Sequence, residues 1–517
     1  MSKLLTGTQM RAVEEAAMAA GEVSGTALME AAGAAVVAQI YHVWPKLYDS
    51  DEPGALILCG PGSNGGDGFV VARRLKERGW RVSLVLFGDV ARLSGDAAQN
   101  CALWQRMGEV LAPADLPGLL ARGAPDLAVD ALFGTGLSRP LEPEVAEALA
   151  AVLASAVRRV AVDMLSGLCA DSGRMLGGVA VGRVDLTVTF HAAKPGHVLA
   201  EGGHLGGQLV VADIGLDGAL DAARAGALPA RLVGAEECGC VARKDPAGHK
   251  FSHGHALVLT GGPGRTGAAR LAARAALRVG AGLVTLGVPP AAQQEVAMQI
   301  TALMLARLPD AAALSVLLED RRINALCLGP GLGLDDRARA LVEVALAAER
   351  PVVLDASGLS LFAGDPEALF AQTRGARVVM TPHGGEFARL FPDLAARLEE
   401  VPRQGPAWSK VDAVREAAAR AGCVVLLKGA DTVIAAPDGS VRVHAALRER
   451  SCPWLATAGA GDVLAGLITG LLARSMAPLD AAARGAWLHV EAARQAGPGL
   501  IAEDLPEAIP AVLRGLI

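Results

Sequence analysis

Twice along this chain, short apolar runs alternate with segments of helical periodicity, and most of the runs end in a polar, glycine-rich turn. The first series comprises Ala55 to Cys59, Arg81 to Phe87, Leu127 to Ala131, Val160 to Val162, Leu186 to Phe190 and Gln208 to Ala212. The second comprises His255 to Thr260, Val284 to Val288, Ala325 to Leu328, Val352 to Asp355, Val378 to Thr381 and Val424 to Lys428. Consecutive parallel strands need a crossover long enough for a helix, so this alternation calls for mostly parallel sheets covered by helices on both faces. An alanine-rich, strand-poor stretch from Leu216 to Glu237 separates the two series, and 517 residues exceed what one core accommodates. The expectation is two α/β domains, 1–217 and 238–517, joined by a linker at 218–237.

Composition narrows the partners. A net charge of -6 argues against a nucleic-acid or anionic-membrane surface. Met1 to Gly21 lacks the apolar run of a signal peptide, and no later segment reaches the roughly 20 apolar residues of a membrane span. A cytoplasmic protein acting on small molecules, with neither nucleic acid nor membrane as partner and assembled as a homo-oligomer, is expected. The eight cysteines are scattered without a C-x-x-C, which supports neither a zinc site nor a disulfide framework and suits reduced, buried residues.

Ligands of open parallel sheets bind beyond the carboxyl ends of the strands, so the turns there carry the functional reading. After the first strong strand comes Gly60-Pro-Gly-Ser-Asn-Gly-Gly-Asp-Gly68, with a helix expected near Phe69. Gly60, Gly62 and Gly65 satisfy G-x-G-x-x-G, but Asp67 sets a negative charge where a pyrophosphate would lie. Asn64 and Asp67 suit a loop that offers oxygens to a cation. Asp130-Ala-Leu-Phe-Gly-Thr-Gly136 and Asp163-Met-Leu-Ser-Gly167 each follow an apolar strand, and three such loops are expected to face one pocket.

In the second block, Gly261-Gly-Pro-Gly-Arg-Thr-Gly267, Leu328-Gly-Pro-Gly-Leu-Gly333, Asp355-Ala-Ser-Gly358, Thr381-Pro-His-Gly-Gly-Glu386 and Lys428-Gly-Ala-Asp-Thr432 mark successive strand ends. None is a P-loop. The segment Ala456-Thr-Ala-Gly-Ala-Gly-Asp-Val-Leu-Ala-Gly466 places Gly459, Ala460 and Gly461 before Asp462 and an apolar helical run, so that backbone amides converge on an anion site. Asp462 there is either a helix N-cap or a base that takes the proton of a hydroxyl being phosphorylated.

Together the motifs of the first block, with Lys194-Pro-Gly196, resemble the epimerase domain of the NAD(P)H-hydrate repair family, a Rossmann-like three-layer fold. The resemblance implies potassium held by Asn64, Asp130 and Ser166. It also implies hydrated nicotinamide nucleotide on Ser63, Asn64, Gly65, Gly66 and Asp67, and on Gly134, Thr135, Gly136, Leu137, Ser138, Arg139 and Pro140, with Asp163 as acid/base. Met164-Leu165 replace the family's Ile-Pro, which puts the rigidity of that turn in question.

The second block resembles the family's ribokinase-like dehydratase domain, dependent on ADP or ATP with magnesium. There Ala268, Gly331, His383 and Asp462 are implied to meet the hydrate, and Lys428, Gly429, Ala430, Asp431, Thr432 and Gly461 the adenine nucleotide. Phe251 and Ser357 depart from the family pattern. The implied function is epimerisation of R- and S-NADHX and NADPHX and ADP-dependent dehydration of the S form, giving NAD(P)H, AMP and phosphate. A ribokinase-like kinase for a sugar or vitamin precursor, with a noncatalytic nucleotide-binding module in front, is the rival. No asparagine is followed by glutamate three residues on, so the N-x-x-E magnesium motif of such kinases is absent.

Overall fold

The computed structural model describes residues 2–49, 51–216 and 228–517. Residues 218–227, the first half of the expected linker, lie outside the described residues. The chain divides into two compact units, one formed by Ser2–Pro229 with Glu400–Ser409 and the other by Ala230–Glu399 with Lys410–Ile517. Among the described residues no helix is long and apolar enough to cross a membrane.

In the first unit, β1 (Ser2–Leu4), β2 (Gly54–Cys59), β3 (Arg81–Leu86), β4 (Val110–Leu111), β5 (Leu127–Ala131), β6 (Arg159–Val162), β7 (Leu186–Phe190) and β8 (Gln208–Ala212) are the strands. Seven of them form a parallel sheet in the order β4-β3-β2-β5-β6-β7-β8. Strand order reverses at β2, whose neighbours are β3 and β5, so the crevice of this sheet opens beyond Cys59 and Ala131. β5 and β7 are buried along their whole length, as strands covered by helices on both faces must be.

The second unit contains β9 (Ala230–Leu232), β10 (His255–Leu259), β11 (Leu283–Val288), β12 (Met304–Arg307), β13 (Ile323–Leu328), β14 (Val352–Leu354), β15 (Val378–Met380), β16 (Val424–Leu427), β17 (Asp431–Ala435) and β18 (Val441–Ala445). Their order is β9-β18-β17-β16-β15-β14-β13-β10-β11-β12, parallel from β16 to β12 and antiparallel across β16, β17 and β18. Here the reversal falls at β10, between β11 and β13, which sets the turns after Leu259 and Leu328 side by side.

The expected strands all form, with ends moved by a residue or two. Six strands were not expected. β1, β4 and β9 are too short to show a period, and β9 lies inside the stretch read as strand-poor. β12 is a half-exposed edge strand. The hairpin β17–β18 did carry a signal, since Ala436-Pro-Asp-Gly439 separates two β-rich runs.

Six helices position the functional side chains: α1 (Ser63–Lys76), α2 (Gly267–Arg278), α3 (Gly384–Leu390), α4 (Ala460–Ala473), α5 (Pro478–Ala496) and α6 (Asp504–Arg514). α4 is buried along nearly its whole length because it crosses α2 through small residues, with Ala269, Ala272, Ala273 and Ala276 of α2 fully enclosed. A Cβ on Gly466 would stand 2.1 Å from the carbonyl oxygen of Ala272. Backbone cannot yield as a side chain does, so Gly466→Ala should part the helices and destabilise this unit by about 1–3 kcal/mol. A lowered thermal transition for the second unit, with that of the first unmoved, checks this.

Candidate functional site

The first candidate site is built at the reversal point of the seven-stranded sheet. α1 begins at Ser63, not near Phe69, so Asn64, Gly65, Gly66 and Asp67 lie in its first turns rather than in a loop. The chain turns so tightly that a Cβ on Gly65 would stand 1.9 Å from the Gly60 carbonyl oxygen, which lets the helix begin almost as soon as β2 ends. Ser63 is exposed at the rim, while Asn64 and Asp67 are buried. Burial, with the charges of Asp163 and Glu14 behind it, holds the Asp67 carboxyl well above the ordinary range.

Asp163 is the centre of this site. It has φ of 62°, a left-handed conformation that is costly for a non-glycine residue. Several bonds hold it there: Oδ1 accepts from Lys194 Nζ at 2.8 Å and from Thr189 Oγ1 at 2.8 Å, and Oδ2 accepts from the Thr135 amide at 3.1 Å. His197 Nε2 lies 2.8 Å from its carbonyl oxygen. Burial acts most strongly, to raise the Asp163 carboxyl, but Lys194, His197 and Thr189 together hold the group below the usual range.

Asn64 Oδ1 and Asp163 Oδ2 both face Gly134, where a Cβ would stand 3.0 and 2.8 Å from them. The turns at 63–67, 134–135 and 163 therefore meet, as expected; Gly136, Ser138 and Arg139 lie exposed on the rim with Leu137 and Pro140 half-buried. Glu400–Ser409 belongs to this unit and holds that rim: the Gly405 amide donates to the Ser138 carbonyl at 2.9 Å, and Ala407 packs with Leu137.

Asp130 and Ser166 lie just behind. Asp130 accepts from the Ser166 amide and hydroxyl, both at 2.7 Å, and from the Leu132 amide at 3.2 Å. No cationic side chain pairs with it among the described residues, and burial pushes it up to about 6. The bond from the Ser166 amide also pins the turn after Asp163. Met164 and Leu165 are buried there, so the missing proline does not leave it loose.

In the second unit the two turns at the reversal point interlock. Gly331, at φ of 67°, lies against Arg265 and Ala268, and a Cβ on it would stand 2.3 Å from the Arg265 carbonyl oxygen. α4 is capped by Gly459 in the left-handed conformation, with no side-chain cap bond. Asp462 is the third residue of the helix, which removes its N-cap reading. First-turn amides of α4 have no acceptor within the helix. Burial first, then the nearby Asp355, push Asp462 up to about 6, with Lys428 pulling the other way.

Lys428 closes this group. Its Nζ lies 2.7 Å from Asp355 Oδ1 and 4.0 Å from Glu386 Oε2, and a Cβ on Gly461 would stand 3.4 Å from it. His383 caps α3, with Nδ1 accepting from the Gly385 amide at 3.0 Å, and its ring is largely exposed. Gly429 and Ala430 are exposed, Asp431 is paired with Lys410 at 2.7 Å, and the buried Thr432 hydroxyl donates to the Gly429 carbonyl. Of the departures, Phe251 lies under the Arg322 guanidinium at 4.7 Å, and Ser357 opens a short helix after Ala356, whose φ is 46°.

Comparison with known proteins follows the same division. A family model described as NAD(P)H-hydrate dehydratase matches residues 256–510, and one described as YjeF-related protein N-terminus matches 25–196. The bifunctional NAD(P)H-hydrate repair enzyme Nnr of Moorella thermoacetica is 38% identical over 99% of this chain and 97% of its own. The enzyme of the same name from Salinibacter ruber is 35% identical over 98% and 96%. This chain belongs to the bifunctional NAD(P)H-hydrate repair enzymes. Among solved structures, an ADP/ATP-dependent NAD(P)H-hydrate dehydratase from Bacillus subtilis co-crystallised with ATP/Mg2+ is 26% identical, covering 56% of this chain and 99% of that one with a TM-score of 0.46.

Sequence reasoning about this family member missed Lys194, Thr189, Asp355 and Glu386. Lys194 stood in a quoted motif without a role. Glu386 had a readable signal, because His383-Gly-Gly-Glu386 has the spacing of the N-x-x-E motif sought with an asparagine. Lys194→Met should cost the first unit about 3–5 kcal/mol at neutral pH, since it strands a buried carboxylate. The deficit should shrink as pH falls and Asp163 takes up a proton, which thermal melts of both proteins across pH 5–8 measure.

Proposed function

We propose that the first unit interconverts the R and S forms of NADHX and NADPHX at Asp163 and that the second dehydrates the S form at Asp462 with ADP. The observation that carries the reading is the placement of Asp462: half-buried in the first turn of α4, making no cap bond, beside Asp355 and the Lys428 ammonium. A carboxyl poised near 6 is ionised at neutral pH yet basic enough to take a hydroxyl proton.

In the first unit, the hydrate lies against residues 63–67 and 134–140. Its C6 carries both a hydroxyl and the ring nitrogen. Asp163 accepts the hydroxyl proton and passes it to N1 as the C6–N1 bond opens, and ring closure on the other face reverses the transfer. Lys194 keeps Asp163 ionised for the first of these steps.

A cation fits the ground behind this site, where the buried Asp130 has no cationic partner among the described residues. Asn64, Asp130 and Ser166 would hold potassium, which supplies fixed positive charge under the turn that carries Asp163.

In the second unit, Ala268, Gly331 and His383 hold the hydrate, and Lys428 to Thr432 with Gly461 hold ADP. Asp462 takes the C6 hydroxyl proton as that oxygen attacks the β-phosphorus, and AMP leaves. Phosphate then departs from C6 with the C–O electrons as C5 loses a proton to solvent, restoring the 5,6 double bond. Amides of the α4 first turn and Lys428 stabilise the charge on the transferred group. Among the described residues no three His, Cys, Asp or Glu side chains are grouped to hold a metal, so magnesium would be held mainly by nucleotide phosphate oxygens, lending them positive charge.

The deciding experiment supplies mixed epimers, potassium, magnesium and ADP and follows recovery of dihydronicotinamide absorbance; no recovery sinks the dehydratase reading, and release of a stable phosphorylated product supports the kinase rival. Asp462→Asn should lower dehydration by about 10²–10⁴-fold, and Asp163→Asn should do the same to epimer exchange while leaving S-form dehydration intact. The dehydration rate should fall on the acid side with an apparent pKa of about 6, where Asp462 gains its proton. Lys428→Met should move that limb to higher pH, because Lys428 lowers the Asp462 value. Potassium should raise the melting temperature of the first unit, and Asp130→Asn should abolish that rise.

A further inference from the structure

Along α2 lies a cavity of about 820 Å³, walled also by residues 299–303 and by α6. Its lining is unlike the rest of a chain whose net charge is -6. Arg270, Arg274 and Arg278 stand four residues apart on α2, and Arg514 faces in from α6, with Glu503 the one carboxylate among the lining residues. Side chains spaced by four share one face of a helix, so the three arginines form a stripe. Arg274 and Arg278 share Glu507 between them. Arg270 has only a 3.3 Å contact with Gln299, and its Nε is buried with no partner. Arg514 pairs with no carboxylate among the described residues. Leu271, Ile300 and Leu513 give the same cavity apolar surface.

The cavity borders the dehydratase site. Gly267, on its wall, precedes Ala268, and Leu271 lies 3.0 Å from where a Cβ on Gly459 would be. It is also on the side away from the nucleotide turn. That turn joins β16 to β17, whereas α2 follows β10, and β13, β14 and β15 lie between them in the sheet. An occupant therefore shares the hydrate's end of the site, not that of ADP.

The hydrate reacts at its nicotinamide ring alone. The remainder is a pyrophosphate, which guanidinium groups bind in a matched planar geometry, and a flat adenosine, which stacks on guanidinium and apolar surface. We infer that this cavity holds the pyrophosphate–adenosine arm of the hydrated dinucleotide, with Arg270 and Arg514 as the residues that bind it. The inference rests on the dehydratase reading above and adds the part of the substrate that reading leaves unplaced.

The test uses the full chain and steady-state dehydration of the S forms of NADHX and NADPHX at saturating ADP. Hydrated reduced nicotinamide mononucleotide, which lacks the AMP half, serves as a third substrate. Arg270→Gln and Arg514→Gln should each raise KM for both dinucleotides about tenfold, the effect of one charge-assisted contact, with kcat and the KM for ADP held. The mononucleotide, which keeps one of the two phosphates and no adenosine, should start with a high KM that either substitution raises by less than it raises the dinucleotide values. Arg270→Lys, which keeps the charge, should recover part of the loss, and unchanged melting temperatures would exclude a folding defect as its cause.

Dinucleotide KM values that stay at the level of the unsubstituted chain overturn the inference while leaving the dehydratase reading intact. So does an equal rise for the mononucleotide, or a rise confined to ADP. Failure of the unsubstituted chain to dehydrate any of the three overturns the dehydratase reading and this inference together.

Discussion

Both proposed sites depend on an aspartate drawn wholly or partly out of water, and the cost of that withdrawal explains what surrounds each one. A buried carboxylate must be paired, protonated or fed by hydrogen bonds. Asp163 is paired: Lys194, itself buried, reaches it at 2.8 Å, while Thr189 and the Thr135 amide use its remaining lone pairs. Asp462 has no such partner, because Lys428 is committed to Asp355 at 2.7 Å. The same residue type is therefore driven in opposite directions, below the usual range in one unit and up to about 6 in the other.

Those opposite directions suit the two proposed chemistries. Ring opening at a hemiaminal carbon needs a group that takes a proton and gives it back, with no net charge left behind, so a paired, settled carboxylate serves. Phosphoryl transfer gathers negative charge at one place, and a base there must stay ionised among other anions. Lys428 and the amides of the α4 first turn supply the positive field, and the nearby acids keep Asp462 basic. A fully paired aspartate at that position would be too weak a base.

Legibility followed period and spacing. Short apolar strands were readable, and so were the polar turns that end them, because strand ends at a sheet reversal are where backbone amides gather. What escaped has identifiable causes. α1 starts six residues before the expected point, since its first turns are built from Asn64, Gly65, Gly66 and Asp67, residues that ordinarily signal a loop. Propensity is overridden there because glycine is needed where the helix meets the Gly60 carbonyl. Asp355 escaped because its role lies in being near Lys428 in space, across strands far apart in the chain, and no local pattern encodes that.

The left-handed Asp163 sharpens the point. From sequence, the loss of a proline after this aspartate suggested a looser turn, on the reasoning that proline stiffens the backbone through φ. Rigidity here comes instead from the Ser166 amide bonded to Asp130, from the buried Met164 and Leu165 and from four hydrogen-bonding partners converging on Asp163. A residue held at φ of 62° by that many contacts is over-determined, and strain of this kind persists only where its surroundings enforce it. The carboxylate is thus fixed by tertiary contacts that a change at position 164 or 165 leaves in place.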